Sequence, residues 1–178
     1  MPEQEQPKIR FYGGIKWGLG LPTVILVGQH TLESDHLHIV REFYHEEALL
    51  DDILDTAKEW SDELKIRKFF CDPKEPEFIK QLRQKRTRAH EVPDEVTMAI
   101  QLIRKRLDNQ SRGLPGGITV SRDCPFTIGE FSKFRRPDRD PRKPYRDRPL
   151  DVDNYAVGAL HFLVLGLAFE PKPRVRWL

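Results

Sequence analysis

Little in this sequence invites covalent or metal crosslinking. It has two cysteines among 178 residues, Cys71 and Cys124. Their spacing matches no zinc motif, and two thiols make no disulfide framework, so a reducing cytosol is the expected compartment. An excess of one charge is also missing: 30 Lys and Arg stand against 28 Asp and Glu, a formal balance of +2. The whole molecule is therefore no polycation, and any nucleic-acid surface has to come from local clustering. Long apolar runs are absent. The longest, Ala156 to Phe169, is broken by glycine and histidine and falls short of the roughly 20 residues of a membrane span, so no membrane partner is expected. The opening stretch, Met1 to Lys8, is polar and acidic and lacks the apolar core of a signal peptide. It reads as a disordered lead over residues 1–10. No Gly-x-x-x-x-Gly-Lys-Ser/Thr phosphate loop occurs, which excludes a P-loop motor within these residues.

What is present fits one globular domain, with 38% hydrophobic and 33% charged residues. The domain is expected over residues 11–170, followed by a tail at 171–178. Phe11 to Gly18 and Thr23 to Gln29 read as strands around the turn Gly18-Leu19-Gly20-Leu21-Pro22. The second is almost wholly apolar, as a central strand should be. His36 to Tyr44 is a third strand, so the three form an antiparallel meander. The period then changes. Ala48, Leu49, Ile53, Leu54, Ala57 and Trp60 fall at helical spacings within Glu46 to Lys65. Ile66 to Cys71 is a short strand ending at Asp72-Pro73, which puts Asp72 at a strand tip. Helices follow at Glu75 to Lys85 and Pro93 to Leu107, a strand at Ile118 to Ser121, and a short helix at Phe126 to Phe134. Residues 135–149 are rich in arginine and proline and read as an exposed basic loop. The last helix runs from about Asp153 to Phe169, closed by Pro171 and Pro173. This order implies an α/β mixed sheet with helices on both faces.

Taken in order, several segments resemble the nuclease domain of phage terminase large subunits. YGGIKWGLGLPTVILVG, Tyr12 to Gly28, is similar to a first strand that in the family carries aspartate in a Gly-Gly-x-Asp-Trp-Gly context. HLHIVREFYHEE, His36 to Glu47, matches a strand ending in Glu-Phe-Tyr before a helix. RKFFCDPKEPEFIKQLR, Arg67 to Arg83, resembles an Asp-Pro-x-x-Pro segment. ITVSRDCPFTIGEFSKFR, Ile118 to Arg135, is the fourth match. RPLDVDNYAVGALHFLV, Arg148 to Val164, resembles a final helix that often reads Asn-Asp-His-Ala-Met-Asp-Ala-Leu-Arg-Tyr. The resemblance spans nearly the whole chain after the first ten residues and implies a ribonuclease-H-like fold. It also implies an endonuclease that cuts viral double-stranded DNA during packaging, in the cytoplasm of a bacterial host. A separate terminase ATPase, a small terminase subunit or a portal are the partners it implies. Family members hold two divalent ions, Mg2+ or Mn2+, on converging carboxylates. Such ions, about 4 Å apart, clamp the scissile phosphate and activate water.

Measured against that pattern, the site is depleted. Lys16 stands where the first-strand aspartate is expected, placing an ammonium where an anion should hold a cation. It is expected to take the ion's place and pair with Asp72. Asp72 matches the second acidic position, as a catalytic and metal-binding residue, although an aspartate before proline also caps turns. Asp153 and Asp151 are either further ligands, Asp153 with a catalytic role, or charges favoured at the start of the last helix. Gly158 stands where a further aspartate is frequent. Glu42 is a weaker candidate acid, or part of the polar face of an edge strand. This count predicts impaired nuclease chemistry. The alternative is an inactive module of the same fold that binds nucleic acid or a protein partner; another ribonuclease-H-like nuclease, such as a resolvase or transposase piece, is a third reading.

Two basic clusters supply candidate phosphate contacts: Lys80, Arg83, Lys85, Arg86 and Arg88, and then Arg135, Arg136, Arg139, Arg142 and Lys143 in the late loop. Asp138, Asp140 and Asp147 offset part of the second cluster. Among the histidines, His36 and His38 alternate on a strand and are expected to face solvent, His30 has no evident partner, and His161 is expected to be a hydrogen-bonded core residue.

Overall fold

The computed structural model describes residues 6–133 and 154–171. Six strands form one mixed sheet: β1 (Ile9–Lys16), β2 (Thr23–Thr31), β3 (His36–His45), β4 (Lys68–Cys71), β5 (Ala89–Glu91) and β6 (Ile118–Val120), in the spatial order β5-β4-β1-β2-β3-β6. The meander is as expected: β1 pairs antiparallel with β2, and β2 with β3. Strands β4 and β6 join its two sides in parallel, next to β1 and β3 respectively, and β5 extends the edge in parallel from β4. β5 went unread in the sequence because three residues carry no period.

Strand β2 is apolar throughout because both its faces are covered. Val24 and Leu26 enter one core, Ile25 and Val27 the other. The second core is closed by α1 (Leu50–Leu64) and α2 (Pro76–Gln84) through Ile53, Leu54, Ala57, Ile79 and Leu82. The first is closed by α3 (Val96–Ser111), α4 (Pro125–Lys133) and α5 (Tyr155–Phe169). Helix α1 begins four residues later than its acidic run suggested, and α3 runs four residues further; helix ends are where periodicity is least informative. Cys71 and Cys124 are both buried free thiols that behave as small apolar residues.

Helix α5 lies closest to the sheet. A Cβ on Gly14 of β1 would collide with the Ala159 carbonyl and stand 2.8 Å from Leu163 Cβ, and one on Gly166 would collide with the Phe70 ring. Glycine at 14 lets helix and strand backbones approach directly, and glycine at 166 makes room for the Phe70 ring beneath the helix. Ten residues of α5 are buried, so the helix is apolar all round, as a central helix must be.

Two carboxylates anchor the helices of this face. Glu42 of β3 accepts from the Phe126 and Thr127 amides, both at 2.8 Å, and from the Thr127 hydroxyl at 2.7 Å. It therefore caps α4 and does not lie on the solvated face of an edge strand. Glu130 of α4 in turn accepts from the Val157 amide at 2.9 Å and the Tyr44 hydroxyl at 3.2 Å, with the Tyr155 and Ala156 amides also directed to it. These amides are the unpaired donors of the first turn of α5. Burial still pushes the Glu130 carboxyl above its ordinary range, against the effect of those bonds.

His161 occupies the middle of α5. Its Nε2 is buried with no hydrogen-bond partner among the described residues, contrary to the expected bonded core histidine. Burial, and then the charge of Lys16, lower its pKa to about 4. His30, read as partnerless, bonds Asp35 at 2.7 Å, and Asp35 also pairs with Arg106 at 3.1 Å. His36 and His38 are half-buried and share the Thr119 hydroxyl, each at 2.8 Å; that hydroxyl tethers β6 to β3.

Glu130→Ala is expected to cost about 1–3 kcal/mol, because it strands buried amide donors; urea denaturation of the variant should show it, and a loss below about 0.5 kcal/mol would remove the cap from this account. His161 is held neutral in the fold and protonates near pH 6.5 when unfolded. Its contribution to stability is therefore complete above about pH 6.5 and is lost as pH falls toward about 4, by up to about 3 kcal/mol. Unfolding free energies measured across that window should show this component in the wild type and not in His161→Leu; parallel profiles would refute it.

Candidate functional site

The site forms where β1 and β4 end side by side. Ile15 is paired with Cys71 in the parallel register, and the Asp72 amide donates to the Ile15 carbonyl at 2.9 Å. The next residue on β1, Lys16, is thus brought beside Asp72. Strand alternation sends both toward α5: Tyr12, Gly14 and Lys16 share one face of β1, as Phe70 and Asp72 share one face of the β4 segment. Trp17 points the other way into the second core, and its Nε1 donates to the Asp72 carbonyl at 3.0 Å. That bond fixes the backbone on which the Asp72 carboxylate is mounted.

Asp72 is 1% exposed. One carboxylate oxygen accepts from the Lys74 amide at 3.1 Å, so the turn-capping role is realised. Burial pushes the carboxyl above its ordinary range, opposed by the Lys74 amide and by the charges of Lys74 and Lys16, and reinforced by the Asp94 carboxylate. Sequence reasoning missed Asp94. It follows the short edge strand β5, whose position became visible only when β4 and β5 were paired.

Lys16 is half-buried, and its stem lies across α5 at Gly158. A Cβ added to Gly158 would collide with Lys16 Cδ and stand 3.1 Å from Cε and 3.3 Å from Nζ. The lysine therefore fills the volume that a side chain at position 158 would need. Its ammonium sits in the field of Asp72 and Asp94 and depresses His161 one turn further along the helix. Yet among the described residues it makes no hydrogen bond and no ion pair, so the anticipated Lys16–Asp72 pair is not formed.

The described residues by themselves do not hold a pair of divalent ions. Among the described residues no three His, Cys, Asp or Glu side chains are grouped to hold a metal. Two carboxylates, one of them engaged in a turn, face an ammonium already in place, and a hard cation wants several converging oxygens instead. Asp151 and Asp153, and the basic residues Arg135, Arg136, Arg139, Arg142 and Lys143, lie outside the described residues. The earlier basic cluster is partly consumed by structure. Arg83 donates to the Ala89 carbonyl at 2.8 Å, and Lys85 pairs with Asp55 at 2.7 Å. Among the described residues no helix is long and apolar enough to cross a membrane.

No protein-family model and no curated protein matches the chain. Solved structures do. The chain is similar to the large terminase of a thermophilic bacteriophage in complex with ADP, with a TM-score of 0.76 at 17% identity, covering 96% of this chain and 42% of that one. It thus spans less than half of that terminase. It is similar to the large terminase nuclease domain of bacteriophage SPP1 with bound Mn, with a TM-score of 0.68 at 16% identity over 86% of this chain and 84% of that one. The P22 large terminase nuclease domain gives a TM-score of 0.69 at 12% identity over 96% and 88%. The chain has the ribonuclease-H-like fold of large terminase nuclease domains.

Proposed function

We propose that this chain is a nuclease-like domain of viral DNA packaging whose two-metal chemistry is impaired. The observation that carries the proposal is Lys16 lying across Gly158 where β1 and β4 end. In a fold shared with nuclease domains, one of them holding bound Mn, this end of the sheet presents a fixed positive charge beside Asp72. A divalent ion there meets an ammonium in place of a carboxylate, and two-ion hydrolysis requires both ions to be held. Mg2+ or Mn2+ would act only if Lys16 were displaced and Asp151 or Asp153 completed the ligand set.

The second reading, an inactive module that binds nucleic acid or a partner, is favoured by the same lysine. In the first reading the partner is double-stranded DNA, held without sequence preference by the basic segment around Arg135 to Lys143; in the second it is nucleic acid held by that segment, or a protein. The ATPase activity of packaging belongs to another segment or another protein, and a separate ATPase, a small terminase subunit or a portal is the protein partner. The place of action is the cytoplasm of a bacterial host.

Supercoiled plasmid incubated with Mg2+ and with Mn2+ is expected to stay uncut, and Asp72→Ala to leave that background unchanged. Metal-dependent nicking that vanishes in Asp72→Ala would overturn the impairment. Replacing Arg135, Arg136 and Arg139 together by alanine is expected to weaken duplex binding about tenfold or more at moderate salt and to flatten its salt dependence. Unchanged binding would move the DNA contact elsewhere on the molecule.

A further inference from the structure

We propose that Lys16 is a built-in cation that contacts a DNA phosphate directly, so that this end of the sheet holds a phosphodiester without a divalent metal. The inference rests on the nuclease-like reading above and adds what the altered site does.

The argument begins with unsatisfied donors. An ammonium carries three N–H donors and no acceptor. Lys16 uses none of them on any described residue, although it is half-buried and its stem is held against α5. A partly buried ammonium with unused donors is open to a charge-assisted hydrogen bond with an arriving anion. One turn along α5, His161 presents a second unused group, its buried Nε2. That nitrogen is closed off from solvent, so Lys16 carries the contact with a phosphate oxygen.

Charge balance points the same way. The groups that act on one another here are Lys16, Lys74, Asp72, Asp94 and His161. With histidine neutral, two ammoniums face two carboxylates. A divalent cation needs a clear negative surplus, and among the described residues this set has none. An anion is opposed by the carboxylates, but one Asp72 oxygen is occupied by the Lys74 amide.

Gly158 completes the case. Any side chain at that position would force the lysine stem off the helix. Positions 16 and 158 therefore work as one unit: glycine on the helix is what allows lysine on the strand to lie flat with its ammonium free.

The test is duplex DNA binding by the whole chain in EDTA, measured over a range of salt concentrations. Wild-type protein is expected to bind equally well in EDTA and in Mg2+. Lys16→Gln is expected to weaken binding several-fold and to reduce the log–log salt slope by about one, the mark of one lost phosphate contact. Lys16→Arg, which keeps the charge, should retain the slope and serves as the folded control. If Lys16→Gln is folded and keeps the wild-type affinity and slope, the phosphate contact is overturned and the nuclease-like reading stands. Wild-type binding that requires Mg2+ also overturns it. If the wild-type chain does not bind duplex DNA at all, the reading on which the inference rests falls with it.

Discussion

The close seat of α5 on the sheet is the constraint on which the rest of the structure depends. Backbone approaches backbone at Gly14, and at Gly166 the helix backbone lies directly on the Phe70 ring. A helix held that tightly must be apolar on every side, and its first amides must find acceptors inside the protein. Glu130 supplies one, and it reaches α5 only because α4 is itself fixed by Glu42 of β3. Two buried or half-buried carboxylates therefore hold a strand and two helices in sequence. Each is costly to bury alone and is offset by the otherwise unpaired amides it receives.

The same seating decides the chemistry. Because α5 lies flat against β1, the residue at the end of the strand and the residue at 158 compete for one volume. Large and charged on the strand requires small on the helix. The result, in a fold shared with a nuclease domain solved with bound Mn, is an end of the sheet where a lysine stem lies on a helix glycine beside Asp72. A shared fold positions groups; it does not choose their charge.

Much of the fold was legible because its signals are local. The apolar run of β2, the alternation of β3 and the helical stripe of α1 each report burial through period alone. The tip position of Asp72 was legible because proline stops a strand. The roles of Glu42, Glu130 and Asp94 were not. Each depends on partners far away in the chain: Glu42 caps a helix over eighty residues later, and Asp94 matters only once β5 is laid beside β4. His161 was read as bonded because buried histidines commonly are; its lack of a partner follows from which atoms surround it.

The sequence by itself determined the element types, the meander, the two-faced burial of the sheet and the place of Lys16 at the end of the first strand. These follow from periodicity, turn chemistry and residue identity, which are properties of neighbours along the chain. Only the tertiary structure decided that Lys16 lies across Gly158, that its ammonium is left without an ion pair among the described residues, and that the carboxylates at 42 and 130 cap helices. Those are facts of distance between elements, and parallel pairing of β1 with β4 under a closely packed helix is what sets the distances.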